Sequence, residues 1–318
     1  MNKLSLNSTV SLWNGVEIPL LGYSTEDTEY NLKTQTDIIL DAIESGFRYF
    51  DTAEYYQNQR AVGRAIRKSG IPREEFFIAS KIHIDDIRDR KAYWAFEESL
   101  AQLDIEYIDL YSQHWPFHER QFATWLKLEQ LYDEGRVRAI GVCNHEINHL
   151  ERIKAHEYGS KYMPMINQSH FHPQHTCEDL RVYCQENNIV FGGLFEKDEL
   201  YNMTKPRYFV ETSRGGEIYA YGEDPNDSSK NPRRSREFCD ELGAITDIAI
   251  KYGKTNTQVW IRWSLQHGVV TTPKTKYKTK MDEYINVFDF ELTEDDMDKI
   301  DALNINRRIG YHPDYIDF

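Results

Sequence analysis

Eight short apolar runs alternate with helix-length amphipathic segments, joined by short links, and glycines stand where the helical patterns stop. These three observations predict an α/β chain closed into a (β/α)8 TIM barrel. The expected architecture also has an N-terminal β-hairpin and a long insertion after strand 7, all in one domain over 1–318. An open doubly wound sheet is the rival, but no GxGxxG follows the first strand.

The hairpin comes first. Asn14-Gly15 separates the apolar runs 10–13 and 16–18, a signal for a two-residue type I′ turn in which both residues take positive φ. The strand-like runs are 20–24, 47–51, 76–80, 108–113, 137–142, 163–167, 189–193 and 269–272. Helical periodicity marks 34–45, 59–68, 93–103, 122–134, 150–156, 178–186 and 257–266. Gly46, Gly70, Gly135 and Gly268 follow helical runs at left-handed cap positions. The segment from about 196 to 236 breaks the rhythm. It holds Gly215-Gly216 and Pro225-Asn226-Asp227-Ser228-Ser229, and a stretch this long in a compact domain reads as a lid, a binding loop or an insertion.

The formal net charge of −14 opposes broad contact with nucleic acid or anionic lipid, which needs clustered cations. The basic cluster Lys230, Arg233, Arg234 and Arg236 reads as a solvated face. No run approaches the length of a membrane span, and the polar N-terminus lacks a signal core. Cys143, Cys177, Cys184 and Cys239 form no CxxC pair, as expected of free thiols in a reducing, cytoplasmic setting.

Barrel enzymes gather their chemistry where strands end at the C-terminal face. Three such ends carry polar groups: Asp51-Thr52-Ala53 with Tyr55-Tyr56, Ser80-Lys81, and Gln113-His114-Trp115. One alone reads as a local ion pair; several converging on one mouth point to a site. Hydride addition to a carbonyl builds charge on oxygen and needs a proton donor. Tyrosine is a poor donor at neutral pH unless its anion is stabilised. A lysine about 4 Å away contributes roughly 4 kcal/mol at an effective dielectric of about 20, or about 3 pKa units. Asp51 would hold and balance Lys81, and His114 would offer the substrate oxygen a hydrogen bond. HxHxxH at His170, His172 and His175 lacks a completing carboxylate or cysteine at a usual spacing, so no metal is expected.

Residues 14–22 (NGVEIPLLG), 46–56 (GFRYFDTAEYY), Ser80-Lys81, His114-Trp115-Pro116, Gly141-Val142-Cys143-Asn144, Asn167-Gln168 and Pro273-Lys274-Thr275 recur in the order found in aldo-keto reductases. The chain resembles that family over about residues 9–318, and most resembles its bacterial diketogluconate and methylglyoxal reductase branch. The resemblance implies a barrel reductase using NADPH/NADP+ without metal or flavin. It places catalysis on Asp51, Tyr56 (the proton donor), Lys81 and His114, and its spacing selects Tyr56 over Tyr55.

It also implies a cofactor site. Asn144 and Gln168 meet the nicotinamide carboxamide, Lys274 and Lys280 the adenosine phosphate, and Glu283 the adenine; Thr25, Asp51 and Thr275 complete the set. Several positions depart from the family pattern. Cys143 stands for serine, Leu194 for an aromatic that stacks on nicotinamide, and Lys280 for arginine. Tyr284 replaces an asparagine, and Phe195-Glu196-Lys197 replaces a small polar run. The insertion begins there, so a rebuilt pyrophosphate clamp or lid stands beside the favoured reading of a peripheral loop or subunit contact. Trp115 borders the substrate with Tyr56 and His114. Glu26 and His83 replace aromatics, and both favour a polar or hydroxylated carbonyl substrate. The chain is expected to be a monomer or weak homo-oligomer. The alternative function is an NADP(H)-sensing subunit on the same fold with little turnover.

Overall fold

The computed structural model describes residues 3–26, 31–88, 90–117, 121–155, 159–194, 207–211, 217–221, 234–308 and 312–315, with backbone alone at 121, 207–211, 217–221, 234–242 and 315. The chain opens with a hairpin of β1 (Thr9–Ser11) and β2 (Glu17–Pro19), in which Val10 faces Ile18. Its turn differs from the expected type I′. Gly15 N–H donates to Leu12 O at 2.8 Å, Leu12 N–H donates to Val16 O at 2.8 Å, and Gly15 takes φ +84° while Asn14 stays out of the left-handed region. This is a three-residue loop ending in a left-handed glycine. The longer loop lets Asn14 donate to Arg138 O at 2.9 Å and Trp13 Nε1 donate to Met163 O at 3.2 Å. The hairpin is thereby fixed across the end of the barrel where the strands begin.

The barrel strands follow: β3 (Tyr23–Ser24), β4 (Tyr49–Asp51), β5 (Phe77–Ile82), β6 (Ile108–Gln113), β7 (Val137–Cys143), β8 (Ile166–His170) and β9 (Val190–Leu194). An antiparallel pair comes next, β10 (Arg207–Glu211) with β11 (Glu217–Tyr221), and then the last barrel strand, β12 (Val270–Thr272). All neighbouring barrel strands are parallel and run in chain order from β3 to β9 and on to β12. A bridge from Leu21 to Thr271 brings the two edges together, with Gly22 N–H on Thr271 O at 2.9 Å and Thr271 N–H on Leu20 O at 2.8 Å. The expected barrel is therefore the observed one, and the insertion follows its seventh strand.

Helices fill the links, including Leu32–Ser45, Gln59–Ser69, Ala92–Leu103, Gln121–Asp133, Ile147–Lys154, Glu178–Glu186, Arg234–Tyr252 and Asn256–Gln266. Gly46, Gly70, Gly135 and Gly268 all take positive φ behind helices, as expected. β8 starts three residues later than its apolar run because Pro164 has no N–H to give a ladder. Two C-terminal helices, Lys278–Ile285 and Glu294–Asp301, escaped the periodicity reading; the second is opened by a reciprocal Thr293–Asp296 capping box. The stretch read as one long loop contains β10, β11 and the first residues of the helix Arg234–Tyr252.

Near the start of β6, the buried Asp109 carboxylate accepts from Arg73 at 2.6 Å, Arg138 at 2.7 Å and the Ile78 N–H at 2.8 Å. That buried charge is fully partnered and lies at the end of the barrel opposite the strand C-termini. The other buried carboxylate on a barrel strand, Asp51, stands at the strand C-termini.

Candidate active site

Each catalytic candidate takes its place from a strand end. Asp51 closes β4, in register with Ser24 of β3 and Ala79 of β5. Lys81 lies on β5 opposite Ser112 of β6, and His114 follows the last residue of β6. Lys81 Nζ donates to Asp51 Oδ2 at 2.6 Å and to Thr52 O at 3.2 Å, with side chains 1% and 0% exposed respectively for the lysine and the aspartate. A 3₁₀ turn, Glu54–Tyr56, lifts the chain off β4 and carries Tyr56 back over this pair. The Lys81 ammonium sits 5.2 Å from the centre of the Tyr56 ring. Tyr55, the neighbour that the family spacing passed over, is 62% exposed and stacks on His83 at 5.4 Å.

His114 is half-buried, its ring 6.0 Å from Tyr56 at 85° and 6.4 Å from Trp115. Burial, and then the nearby charges of Lys81 and His83, hold its imidazole well below the usual histidine range. It is therefore neutral at physiological pH and offers one N–H and one lone pair. Asp51, Tyr56, Lys81 and His114 thus meet within one mouth.

The next strand ends stand beside them. Cys143 closes β7 in register with Gln168 on β8, and its thiol donates to Gln168 Oε1 at 3.3 Å. Gln168 Nε2 reaches Asp51 Oδ1 at 3.4 Å. Burial pushes the Cys143 thiol up to about 12, so it packs and hydrogen-bonds as a neutral group. Asn144 takes a left-handed backbone, φ 58°, and donates to His114 O at 3.2 Å. Its Oδ1 is buried and finds no hydrogen-bond partner among the described residues.

Asn58 is a positioning residue that sequence reasoning missed. Its Oδ1 accepts from Thr52 Oγ1 at 2.8 Å and Thr25 Oγ1 at 3.2 Å, and its amide donates back to Thr25 O. The polar asparagine before the helix Gln59–Ser69 was the only available signal. Glu54 was also overlooked. Desolvation, reinforced by Asp86, pushes its carboxyl up to about 7, while the His83 N–H at 3.3 Å pulls the other way.

Around the rim, Leu194 ends β9, half-buried between His170 and Thr272. Glu26, expected toward the substrate, makes an ion pair with Lys274. Thr275 O accepts from Tyr23 Oη at 2.5 Å. Lys280 pairs with Glu283 at 2.6 Å, and Glu283 also accepts from Thr255 Oγ1 at 2.6 Å. Tyr284 is buried in the core. His172 and His175 are buried and held low by desolvation, His172 well below the usual range and His175 to about 3. Among the described residues no three His, Cys, Asp or Glu side chains assemble as a metal-ligating group. Phe195-Glu196-Lys197 and the basic cluster of 230–236 lie outside the described side chains. No described helix is long and apolar enough to cross a membrane.

Residues 20–305 match the aldo/keto reductase family model. The chain belongs to this family and is an oxidoreductase. It is 38% identical over 314 residues to the glyoxal reductase of Bacillus subtilis, covering 99% of each chain. It is 31% identical over 309 residues to the methylglyoxal reductase DkgA of Escherichia coli O157:H7, covering 96% of this chain and 97% of that one. Among solved structures, an aldo-keto reductase from a Medee basin deep-sea metagenome library superposes with a TM-score of 0.79 at 31% identity, covering 97% of this chain and all of that one. The bacterial branch expected from the motifs is thus the one the relatives occupy. Nicotinamide dinucleotides are the cofactors such a family implies. The orphaned, buried Asn144 Oδ1 fits one, because a carboxamide N–H would supply the missing donor.

Proposed function

We propose that this chain reduces small polar aldehydes or ketones to alcohols with NADPH, taking the proton from Tyr56. The single observation that supports the reading best is the buried Asp51–Lys81 ion pair beneath the Tyr56 ring, beside a neutral His114. The names of the glyoxal and methylglyoxal reductase relatives support small carbonyl compounds as the substrate class.

Bound dinucleotide supplies the hydride. Asn144 and Gln168 would hold its carboxamide, with Thr25, Cys143 and Leu194 around them, and Lys274, Thr275 and Lys280 would meet its adenosine phosphate, near Glu283. The protein's work is electrostatic. Lys81 lowers the free energy of the Tyr56 phenolate that remains after proton release. Asp51 fixes the lysine and keeps the buried charge balanced. His114, being neutral, donates a hydrogen bond to the substrate oxygen without repelling the lysine. Trp115, His83 and the exposed Tyr55 form the outer wall met by the rest of the substrate. The buried, free Cys143, Cys177 and Cys184 agree with a cytoplasmic setting.

The test is Tyr56→Phe. Turnover with methylglyoxal should fall by at least about 100-fold, the usual contribution of a positioned general acid, while NADPH affinity stays within about two-fold. Undiminished turnover would remove Tyr56 from the role.

A further inference from the structure

Lys274 and Glu26 lie on neighbouring strand ends at the barrel seam, where the residues after β12 meet those after β3. The seam is stiff. Ser24 N–H donates to Pro273 O at 3.2 Å and Thr25 N–H to Asp51 O at 2.9 Å. Tyr23 Oη holds Thr275 O at 2.5 Å. The residues on either side of the pair, Thr25 before Glu26 and Pro273 and Thr275 around Lys274, are therefore held by the barrel. The Lys274 side chain is 10% exposed, whereas that of Glu26 is 38% exposed. The cation is the enclosed partner and the anion is the one open to exchange.

Resting on the cofactor reading above, we propose that Glu26 is an internal competitor of the cofactor's 2′-phosphate: its carboxylate occupies Lys274 in the free protein and must be displaced when NADPH binds. Two costs then oppose NADPH. The ion pair is broken, and the released carboxylate stays close to an incoming dianion. NADH, which has no 2′-phosphate, incurs neither. Glu26 therefore sets how strongly the enzyme distinguishes the two dinucleotides, and narrows a preference that Lys274 alone would widen. Its place at the mouth, where His170 feels both charges, does not require it to touch substrate.

The test measures equilibrium binding of NADPH, NADH and 2′,5′-ADP by titration calorimetry, on the wild type, Glu26→Gln, Glu26→Ala, the Lys274→Met control, and Glu26→Gln combined with Lys274→Met. The glutamine and alanine variants should bind NADPH and 2′,5′-ADP about ten-fold more tightly, as expected for a partly exposed ion pair together with the relieved repulsion, and NADH within about two-fold of wild type. The double variant should show no gain over Lys274→Met. Unchanged or weaker NADPH binding in both single variants overturns the proposal, and so does an equal gain for NADH. If the wild type and every variant bind neither dinucleotide, the cofactor reading itself fails. If the wild type binds NADPH and Glu26→Gln gains nothing, the competitor fails alone. Thermal melts of the two single variants exclude misfolding as the cause of any loss.

Discussion

Replacing Lys81 by methionine should be far more damaging than replacing it together with its partner. The Lys81–Asp51 contact is 2.6 Å with both side chains shielded from water. At an effective dielectric of about 20 the attraction is about 6 kcal/mol, but desolvating two ions takes several kcal/mol, so the intact pair contributes little net stability. Breaking it is different. Lys81→Met leaves the Asp51 carboxylate buried without its counter-charge, beside the 3.4 Å contact from Gln168, at a cost of about 3–5 kcal/mol. Asp51→Asn leaves the buried ammonium without its counter-charge, on neutral acceptors such as Thr52 O, and should cost a similar amount. The double variant removes both charges and should cost no more than about 2 kcal/mol, a coupling of about 4 kcal/mol or more. Turnover should not follow stability. With the ammonium 5.2 Å from the Tyr56 ring, its loss removes about 3 kcal/mol of phenolate stabilisation, or roughly 100-fold in rate, in the single and the double variant alike. Urea unfolding followed by tryptophan fluorescence gives the first quantity and steady-state NADPH oxidation the second. A Lys81→Met cost below about 1 kcal/mol, or a double variant that recovers turnover along with stability, would refute this account of the pair.

Two further perturbations probe the frame around the site. Glu54 has its carboxyl raised to about 7, so its stability penalty is absent below the unfolded value near 4.5 and grows as pH rises toward 7. Discounted for partial exposure, Glu54→Gln should therefore gain about 1–2 kcal/mol over wild type near pH 8 and nothing near pH 4; a gain independent of pH in urea titrations would contradict the assignment. Gly63→Ala tests the approach of two helices. Propensity alone favours alanine by about 1 kcal/mol, but its Cβ would strike the backbone carbonyl of Leu103, so a net loss of about 2–4 kcal/mol is expected, and a raised melting temperature would overturn it.

The parts legible in the sequence are those whose cause is local. β6 and the helix Glu178–Glu186 fall on their predicted residues because a short buried run between helical segments and an amphipathic helix are both marked by their own local residues. The spacing from Asp51 to Tyr56 is likewise local. One 3₁₀ turn off the end of β4 determines which of two adjacent tyrosines lies over Lys81 and which faces solvent. What stayed hidden depends on contacts distant in the chain. The Asn14-Gly15 dipeptide is compatible with two loop lengths, and the choice is made by Trp13 and Asn14 reaching Met163 and Arg138, more than a hundred residues away.

Glu26 is the most instructive case. As a residue type near the mouth it reads as a polar substrate wall, and nothing within ten residues contradicts that. Its partner, Lys274, is 248 residues distant, and only closure of the last strand on the first brings the two together. The same closure puts the cation expected to meet a phosphate beside a carboxylate that already satisfies it. A buried or partly buried charge in a free enzyme needs a counter-charge, and a phosphate site that is empty part of the time must find one in the protein. Here the counter-charge comes from the strand across the seam. The residue that helps keep the lysine tolerable without ligand is, on this proposal, the one the ligand has to displace, so stability of the free protein and affinity for the dinucleotide are coupled through the Glu26 carboxylate.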